Sequence, residues 1–465
     1  MKACPSCVIT GTVTNSNGEP VIAIAVRAFR VRRHDGRPAR DAAQGSDIRW
    51  TDDRGIYRLY GLEPGSYVVV AGGRDPFYRG SLYENEVRTY YPSATRDTAT
   101  EVTVSTGQEL SAIDIRYRGE PGHTVSGHLS GGFDKDSTQT SVSIILVHIP
   151  SGSVEASTHV ASWENTRAFS LRGVPDGSYY IFARRGFEEN AASSPPRRVI
   201  VKGADVTGLE LSLVPLGSIA GRLVLETARE TERQAGCQKR RDTLIEEVIV
   251  KARRDEAAAD KEKLPWAFSQ SGESVPDDQG DFELRHLAAG RYRFLTQLPD
   301  DDWYVRAITL PAATQNNQPV DVTRDGLPLR PGERARGLTI TVAPGAARLG
   351  GRVNATAEGA LPQQQPSRLR VHLVPAERER AESLLRFAET AVLDDGTFTF
   401  KNIAPGRYWL ITRPVNDKNS AGTTDRPLAW DSEGRALLRR DAERANIALD
   451  LQPCQSIADY VLRYR

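Results

Sequence analysis

The chain has 465 residues, of which 39% are hydrophobic and 26% charged, and its formal net charge is +1 at pH 7. This balance is typical of soluble globular proteins and argues against a nucleic-acid footprint or a polybasic membrane patch. We find no apolar run long enough for a transmembrane segment and no visible signal peptide. The length predicts three to four domains, because one hydrophobic core seldom serves so long a chain.

A short motif recurs four times along the chain. It runs from an Asp-x-Gly turn, through an aromatic residue, to a second glycine eight residues after that aromatic and a tyrosine two residues further on. The second glycines are 112, 113 and 116 residues apart, which indicates an internal repeat. The motif residues are Asp53, Gly55, Tyr57, Gly65 and Tyr67; Phe169, Gly177 and Tyr179; Asp278, Gly280, Phe282, Gly290 and Tyr292; and Asp394, Gly396, Phe398, Gly406 and Tyr408.

Each copy reads as a β-hairpin. The aspartate is predicted to cap its own turn, and the first glycine to allow a positive φ there. Side chains alternate along a strand, so Tyr57, Leu59, Leu62 and Tyr67 are predicted to face the core. The second glycine makes the next reversal, and a β-rich run such as "SYVVVA" follows it.

Matching strands flank each hairpin. Opening strands are predicted at 9–13, 125–129, 219–223 and 349–353, and closing strands at 111–117, 208–214, 337–343 and 446–452. We therefore predict an all-β protein, a tandem array of four antiparallel β-sandwich domains. Their predicted bounds, called the first to fourth segments below, are 1–119, 120–216, 217–345 and 346–465.

Four stretches depart from this pattern. The charged, alanine-containing stretches 255–263 and 377–390 predict short helical or mobile insertions between strands. The stretches 72–98 and 412–436 are polar and rich in glycine and proline, and they predict long loops, where binding residues are often found.

The motif resembles the carboxypeptidase regulatory-like family, whose transthyretin-like, Ig-like sandwiches are related to prealbumin-like and collagen-adhesin B-type modules. The resemblance is good in the first and fourth segments, moderate in the third, and weaker in the second, where Arg167 replaces the turn glycine. It implies an accessory role, starch-binding-like or adhesion-like, usually outside the cell and without peptidase activity.

The residues give little sign of catalysis. None of the seven histidines is followed by glutamate at the third position, as a zinc carboxypeptidase requires, and no nucleophile elbow or phosphate-binding loop appears. The opening strands lack the lysine needed for an isopeptide bond. We predict no enzymatic activity, no cofactor and no metal.

Acidic residues and cysteines leave two further questions. The pairs at 52–53, 277–278 and 394–395 and the run at 300–302 are compatible with calcium binding, but turn capping is the favoured interpretation. Cys4 and Cys7 are predicted to be an inert pair. Whether Cys237 and Cys454 are paired stays open, because the sequence does not place them within bonding distance.

Loop aromatics are the remaining candidates for a binding site. Tyr78, Tyr90, Tyr91 and Trp303 are predicted to bind a ligand, because sugar rings stack on such side chains. The alternative is that these rings close the ends of the sandwiches. Trp163 and Trp409 lie in predicted strands and are expected in the core.

Together these features predict a non-enzymatic secreted or cell-surface binding and spacer protein. Its expected partner is a polysaccharide or another surface protein, with no nucleic acid involved. A purely structural envelope scaffold or interaction stalk and an accessory part of a hydrolase are the alternatives. The oligomeric state is not predictable from the sequence.

Overall fold

The computed structural model describes residues 6–34, 37–42, 48–73, 82–131, 141–161, 167–186, 191–227, 237, 245–255, 272–311, 319–355, 369–393, 395–414 and 427–464. Strands predominate among them, which confirms the predicted all-β class. The chain forms two compact units, Met1–Pro215 and Leu216–Arg465. Each predicted segment contains its own hydrophobic cluster, and the division into four domains stays a prediction.

Two facing sheets make up the first segment, and its core draws side chains from both. One sheet has the order β10-β1-β5, with β9 also beside β1; the other has the order β3-β2-β6-β7, with β4 beside β2 and β8 beside β6. A 3-10 helix covers Arg96–Thr98. The strands are β1 (Cys7–Thr14), β2 (Ala25–His34), β3 (Arg37–Ala42), β4 (Arg49–Trp50), β5 (Ile56–Leu62), β6 (Gly65–Ala71), β7 (Thr89–Tyr90), β8 (Val102–Val104), β9 (Glu109–Leu110) and β10 (Ile115–Arg116).

The second segment repeats this arrangement. Its sheets have the orders β14-β11-β18 and β13-β12-β15-β16-β19, with β17 beside β15. The strands are β11 (His123–Ser130), β12 (Ser141–His148), β13 (Val154–Ala161), β14 (Ala168–Val174), β15 (Gly177–Arg185), β16 (Ala192–Ser193), β17 (Arg197–Val201), β18 (Val206–Ser212) and β19 (Val214–Pro215).

The third segment lies in the second compact unit. Its sheets have the orders β23-β20-β28-β25-β26 and β22-β21-β24-β27, and a 3-10 helix covers Ile245–Glu247. The strands are β20 (Gly217–Leu225), β21 (Ile249–Arg254), β22 (Gly272–Ser274), β23 (Asp281–Leu287), β24 (Gly290–Gln297), β25 (Trp303–Leu310), β26 (Val320–Asp321), β27 (Leu327–Leu329) and β28 (Arg334–Pro344).

The fourth segment adds helical elements to the same two-sheet plan, with sheet orders β32-β29-β35 and β31-β30-β33-β34. The strands are β29 (Ala347–Ala355), β30 (Leu369–Pro375), β31 (Ala388–Ala391), β32 (Thr397–Ile403), β33 (Gly406–Pro414), β34 (Ala448–Leu451) and β35 (Ser456–Tyr464). The helical elements are the 3-10 helices Arg378–Arg380, Leu384–Arg386 and Leu428–Trp430 and the helix α1 (Ser432–Ala445).

Two predictions about the insertions need correction. Residues 377–390 hold two short 3-10 helices and then begin β31, which pairs with β30, so the predicted insertion is helical only in part. The predicted loop 412–436 ends in α1, which buries Leu438 and Ala442 against Val374. These two residues are four apart, the spacing that places them on one helix face. The predicted insertion 255–263 lies outside the described residues beyond Asp255.

Every opening strand lies between two partners in its sheet. It pairs antiparallel with the first arm of the hairpin and parallel with a closing strand, so each sheet also contains a parallel pair. In the fourth segment this closing strand is β35, and the prediction of 446–452 is wrong, because those residues hold β34, which pairs with β33 in the other sheet. A glycine stands at the closest approach of the closing strand. A Cβ built on Gly11, Gly127, Gly221 or Gly351 would lie 2.1, 2.0, 2.3 or 2.1 Å from a backbone carbonyl oxygen in or next to that closing strand. The glycine of the repeated opening strand is thus required by close backbone packing.

The hairpin aromatics are core residues in all four copies. Tyr57, Leu59, Leu62 and Tyr67 lie on the buried side of β5 and β6. Their counterparts are buried too, namely Phe169, Tyr179, Phe282, Tyr292, Phe398 and Tyr408. Gly65, Gly290 and Gly406 have φ values of 154°, 159° and 150° at the second reversal, a backbone region that favours glycine.

In the first and third copies the turn before the hairpin is capped one residue earlier than predicted. Asp52, and not Asp53, accepts the backbone N–H bonds of Arg54 and Ile56, at 3.0 and 2.8 Å. In the third copy Asp277, and not Asp278, does the same. These backbone hydrogen bonds lower the pKa of Asp52. Gly55, Gly280 and Gly396 have the expected positive φ, and Asp394 lies outside the described residues.

Candidate functional site

The predicted aromatic ligand site is largely packed away. Tyr90 is 6% exposed and packs against Val68 and Val70, because β7 pairs with β6. Tyr91 is half-buried against the first core, and Trp303 against the third. Tyr78 lies outside the described residues, as does Trp163. Tyr90 and Tyr91 therefore pack against two different clusters, in line with the alternative interpretation.

A cavity of about 420 Å³ lies in the second compact unit, between the third and fourth segments. Its volume falls within the ~300–1,000 Å³ typical of small-molecule sites. Most of its lining is apolar and comes from both segments. The apolar lining residues are Phe294, Leu295, Leu298, Val305, Ile308, Val322, Leu373, Leu384, Leu385, Phe387, Ala388, Pro427, Ala429, Trp430 and Leu438.

Trp430 forms one wall of this cavity and is held on several sides. It ends the 3-10 helix Leu428–Trp430 just before α1 and is 5% exposed. The guanidinium groups of Arg253 and Arg293 lie 5.2 and 5.4 Å from its ring centroid, within cation–π distance. Its carbonyl oxygen accepts a hydrogen bond from Arg293 at 2.8 Å. The indole is thus fixed in place by cationic side chains.

Arg293 is a buried cation whose charge is balanced. Its Nε donates to Asp255 at 2.7 Å, and both side chains are nearly inaccessible, at 6% and 5% exposure. The remaining donors reach the carbonyl oxygens of Thr323 and Trp430. A buried ion pair is tolerated when its hydrogen bonds are satisfied in this way. Arg293 is therefore a structural residue of the cavity wall, and its charge is neutralised by Asp255.

Arg435 plays a similar part on α1. Its side chain is almost fully buried, and it donates to the carbonyl oxygen of Ala429 at 2.9 Å and to Glu382 at 3.1 Å. These bonds hold the first turn of α1 against the 3-10 helix that precedes it and against the loop that contains Glu382. Sequence reasoning missed both arginines, because nothing local distinguishes them from solvated ones.

His372 is the titratable lining residue with a clearly shifted pKa. Burial lowers the pKa of His372 to about 4, and the nearby Arg413 and Arg370 add to this effect. The imidazole is therefore neutral at pH 7, with its Nδ1 3.4 Å from Glu389. The lining that the structure describes contains neither serine nor cysteine, and no cluster of metal-binding side chains occurs among the described residues. The cavity is suited to binding an apolar molecule.

Cys237 and Cys454 form a disulfide, with Cα atoms 5.5 Å apart. This bond links the third segment to the fourth and answers the question that the sequence left open. Cys7 is a free, buried thiol whose sulfur donates to the carbonyl oxygen of Ser105, and Cys4 lies outside the described residues.

The acidic run 300–302 joins the same two segments. Asp302 accepts a hydrogen bond from Arg348 at 2.6 Å, and Asp301 pairs with Lys401 at 3.3 Å. The Asn402 amide donates to the carbonyl oxygen of Asp300 at 2.8 Å. These contacts give the run a structural role at the junction.

In the first unit, a buried ion pair joins the first and second segments. Arg96 pairs with Glu155, and their side chains are 7% and 4% exposed. The Arg96 guanidinium also lies 5.9 Å from the Tyr179 ring centroid. An exposed pair, Arg172 with Glu84 at 2.9 Å, spans the same junction. Both compact units thus contain ion pairs that link two successive segments.

Comparison with protein families gives no match, and comparison with curated proteins gives none either. No helix in the described part of the chain has the length and apolar character needed to cross a bilayer. The resemblance to the carboxypeptidase regulatory-like family therefore stays a prediction.

Several solved structures are similar to this chain. The Bacillus anthracis TIE protein shares 10% identity over 100% of this chain and 75% of its own, with a TM-score of 0.18. Two B repeat units of the collagen binding protein of Staphylococcus aureus share 9% over 89% and 94%, with a TM-score of 0.17. The Bacillus cereus major pilin subunit, in a D312A form, shares 10% over 72% and 99%, with a TM-score of 0.15. At these scores the likeness carries no argument about function.

Proposed function

We propose that the protein is a non-enzymatic β-sandwich spacer of the cell surface or the extracellular space. The disulfide between Cys237 and Cys454 carries this proposal, because disulfides persist in oxidising compartments and are rare in reducing ones. The ion pairs Arg96–Glu155 and Asp302–Arg348 support it, since each of them links two successive segments within one compact unit. A stiff run of repeats is what a spacer needs.

The test is the thiol state of the native protein. Intact cells and their medium are treated with iodoacetamide before any lysis or reduction, and the digested protein is analysed by mass spectrometry. We expect the peptides of Cys237 and Cys454 to be joined. Cys7 is the internal control, because its buried thiol should be alkylated only after unfolding. Separate alkylation of Cys237 and Cys454 in native material would overturn the proposed location.

The absence of catalysis is part of the proposal. Purified protein is expected to turn over neither peptide nor glycoside substrates. Turnover that co-purifies with the chain and changes with a substitution at His372, the neutral imidazole of the cavity, would favour the hydrolase alternative.

Carbohydrate binding is the finer proposal for the spacer's partner. Tyr91 and Trp303 retain partly exposed rings, and a glycan array on the purified chain tests them. We expect any specific signal to fall in Tyr91→Ala or Trp303→Ala and to survive at the exposed Tyr60→Ala. A specific signal unchanged in both test variants would contradict these rings as the platform.

A second function, binding of an uncharged apolar small molecule, is favoured by the cavity beside Trp430. Its walls are mainly aliphatic and aromatic, Arg293 is neutralised by Asp255, and His372 is neutral. A charged ligand would find no unbalanced countercharge among these two groups, so an uncharged one fits better.

The uncharged probe N-phenyl-1-naphthylamine tests this site by fluorescence titration. We expect saturable binding that is lost in Ala388→Phe, which fills the cavity, and kept in Ala458→Phe, at an exposed position on β35. Absence of saturable binding, or equal binding by both variants, would contradict the site.

A further inference from the structure

The disulfide is attached at two particular places in the second unit. Cys237 follows the opening strand β20, and Cys454 directly precedes the closing strand β35. The two cysteines are 217 residues apart. The strands β21 to β34 and the helix α1 therefore all lie inside the covalent loop, together with the whole lining of the cavity.

Tension on a polypeptide is carried by its covalent path. Where a cross-link closes a loop, a pull on the two chain ends passes through the cross-link and leaves the loop between its anchor points unextended. In this chain the path from β20 runs to Cys237, crosses the S–S bond to Cys454 and continues into β35. Only β20 and β35 among the described strands of the second unit lie on that path.

We propose that the disulfide is a mechanical bypass, which lets the chain transmit tension while residues 238–453 stay folded. This inference rests on the proposed spacer function and gives the bond a purpose within it. Both hairpins of the unit would then keep their geometry under load. The same holds for the hydrogen bonds of Arg293 and Arg435 and for the cavity beside Trp430.

The two strands on the path are each held by long pairings. β20 pairs with β28 from Ser218 to Leu225 and antiparallel with β23. β35 pairs with β29 from Arg348↔Ser456 to Ala355↔Tyr464. Within the second unit, detachment of these two strands is the extension that the bond still allows, and it is short beside that of the loop.

Single-molecule force spectroscopy of the full chain, held at both ends, tests the bypass. Mass spectrometry first confirms which preparations hold the bond. A chain extends by about 3.3–3.6 Å per residue, so a loop of 217 residues corresponds to roughly 75 nm. The first unit, Met1–Pro215, lies outside the loop and extends in every preparation. We therefore expect the total extension of the oxidised protein to fall short of that of the reduced protein, and of Cys237→Ser, by this amount.

Two outcomes would overturn the inference. Protein shown to hold the bond could extend as far as the reduced protein does, or reduction and Cys237→Ser could add no extension, in which case the loop resists force without the bond. Cys7→Ser is the matched control, because Cys7 takes no part in the disulfide and should leave the oxidised trace unchanged. Failure of the spacer proposal is read separately, from the thiol state in native material.

Discussion

The hydroxyl of Tyr292 donates a hydrogen bond of 2.7 Å to the carbonyl oxygen of Ala288, four residues earlier. The same bond occurs in every copy of the repeat, from Tyr67 to Glu63 at 2.6 Å, from Tyr179 to Pro175 at 2.8 Å and from Tyr408 to Ala404 at 2.6 Å. It closes the second reversal of the hairpin from inside the core, much like the tyrosine corner of other sandwiches. The tyrosine of the motif is therefore retained for its hydroxyl as well as for its ring.

Removal of this hydroxyl should destabilise the second unit. Tyr292→Phe keeps the buried ring but leaves the Ala288 carbonyl without its partner, at a cost of about 1–2 kcal/mol. We expect a lower melting temperature for one calorimetric transition. Tyr60→Phe, at a half-exposed ring on β5, is the control and should melt as the parent does. Equal melting of the Tyr292→Phe protein and the parent would contradict the role of the bond.

Removal of one partner of the buried Arg96–Glu155 pair should lower the free energy of unfolding strongly. Arg96→Met leaves the Glu155 carboxylate 4% exposed and uncompensated, which costs roughly 3–5 kcal/mol. The double variant Arg96→Met/Glu155→Leu should recover much of this loss, as measured by denaturant unfolding of the first unit. Arg222→Met is the control, because its pair with Asp281 is exposed to solvent and contributes little to stability. An Arg96→Met effect no larger than that of the control would contradict a stabilising junction.

The repeated hairpins could be predicted from the sequence because their causes are local. Alternation of side chains, turn glycines and β-branched runs act within a few residues, so β5 with β6 or β23 with β24 could be located directly. The turn cap was misplaced by one residue because Asp52 and Asp53 are chemically alike, and only the backbone path selects Asp52.

The cavity and the junctions could not be predicted in the same way. Arg293 with Asp255, Arg96 with Glu155 and Cys237 with Cys454 are pairs of distant residues, and the topology alone brings them together. The prediction of Tyr90 as an exposed ligand-binding residue failed to account for a pairing of the same kind. It lies in a polar stretch, but β7 pairs with β6 and buries the ring against Val68 and Val70.

Two adjacent glycines on β29 should respond very differently to an added methyl group. A Cβ on Gly351 would lie 2.1 Å from the carbonyl oxygen of Tyr460, whereas one on Gly350 would come no closer than 3.3 Å to any neighbour. Gly351→Ala must displace β35 and should cost about 3 kcal/mol or prevent folding. Gly350→Ala is the matched control and should stay within about 1 kcal/mol of the parent. Similar melting temperatures for both variants would show that β35 does not approach β29 as described.

His372 should make the second unit sensitive to acid. Its pKa is about 4 in the folded chain, against an ordinary value of 6.5, because burial disfavours the charged imidazole. Between these two values the unfolded chain binds a proton that the folded chain does not. Stability is therefore greatest above about pH 6.5 and falls as the pH drops towards 4, by at most about 3 kcal/mol.

The variant His372→Gln separates this contribution from other titrations. The difference in unfolding free energy between the parent and His372→Gln, measured by urea titration, should shift against the parent by that amount from pH 7 to pH 4. His128→Gln is the matched control, because that imidazole is exposed and lies outside the second unit. If the His372→Gln difference is also independent of pH, the imidazole is not held neutral by burial. The case for an uncharged ligand would then lose the support that it takes from His372.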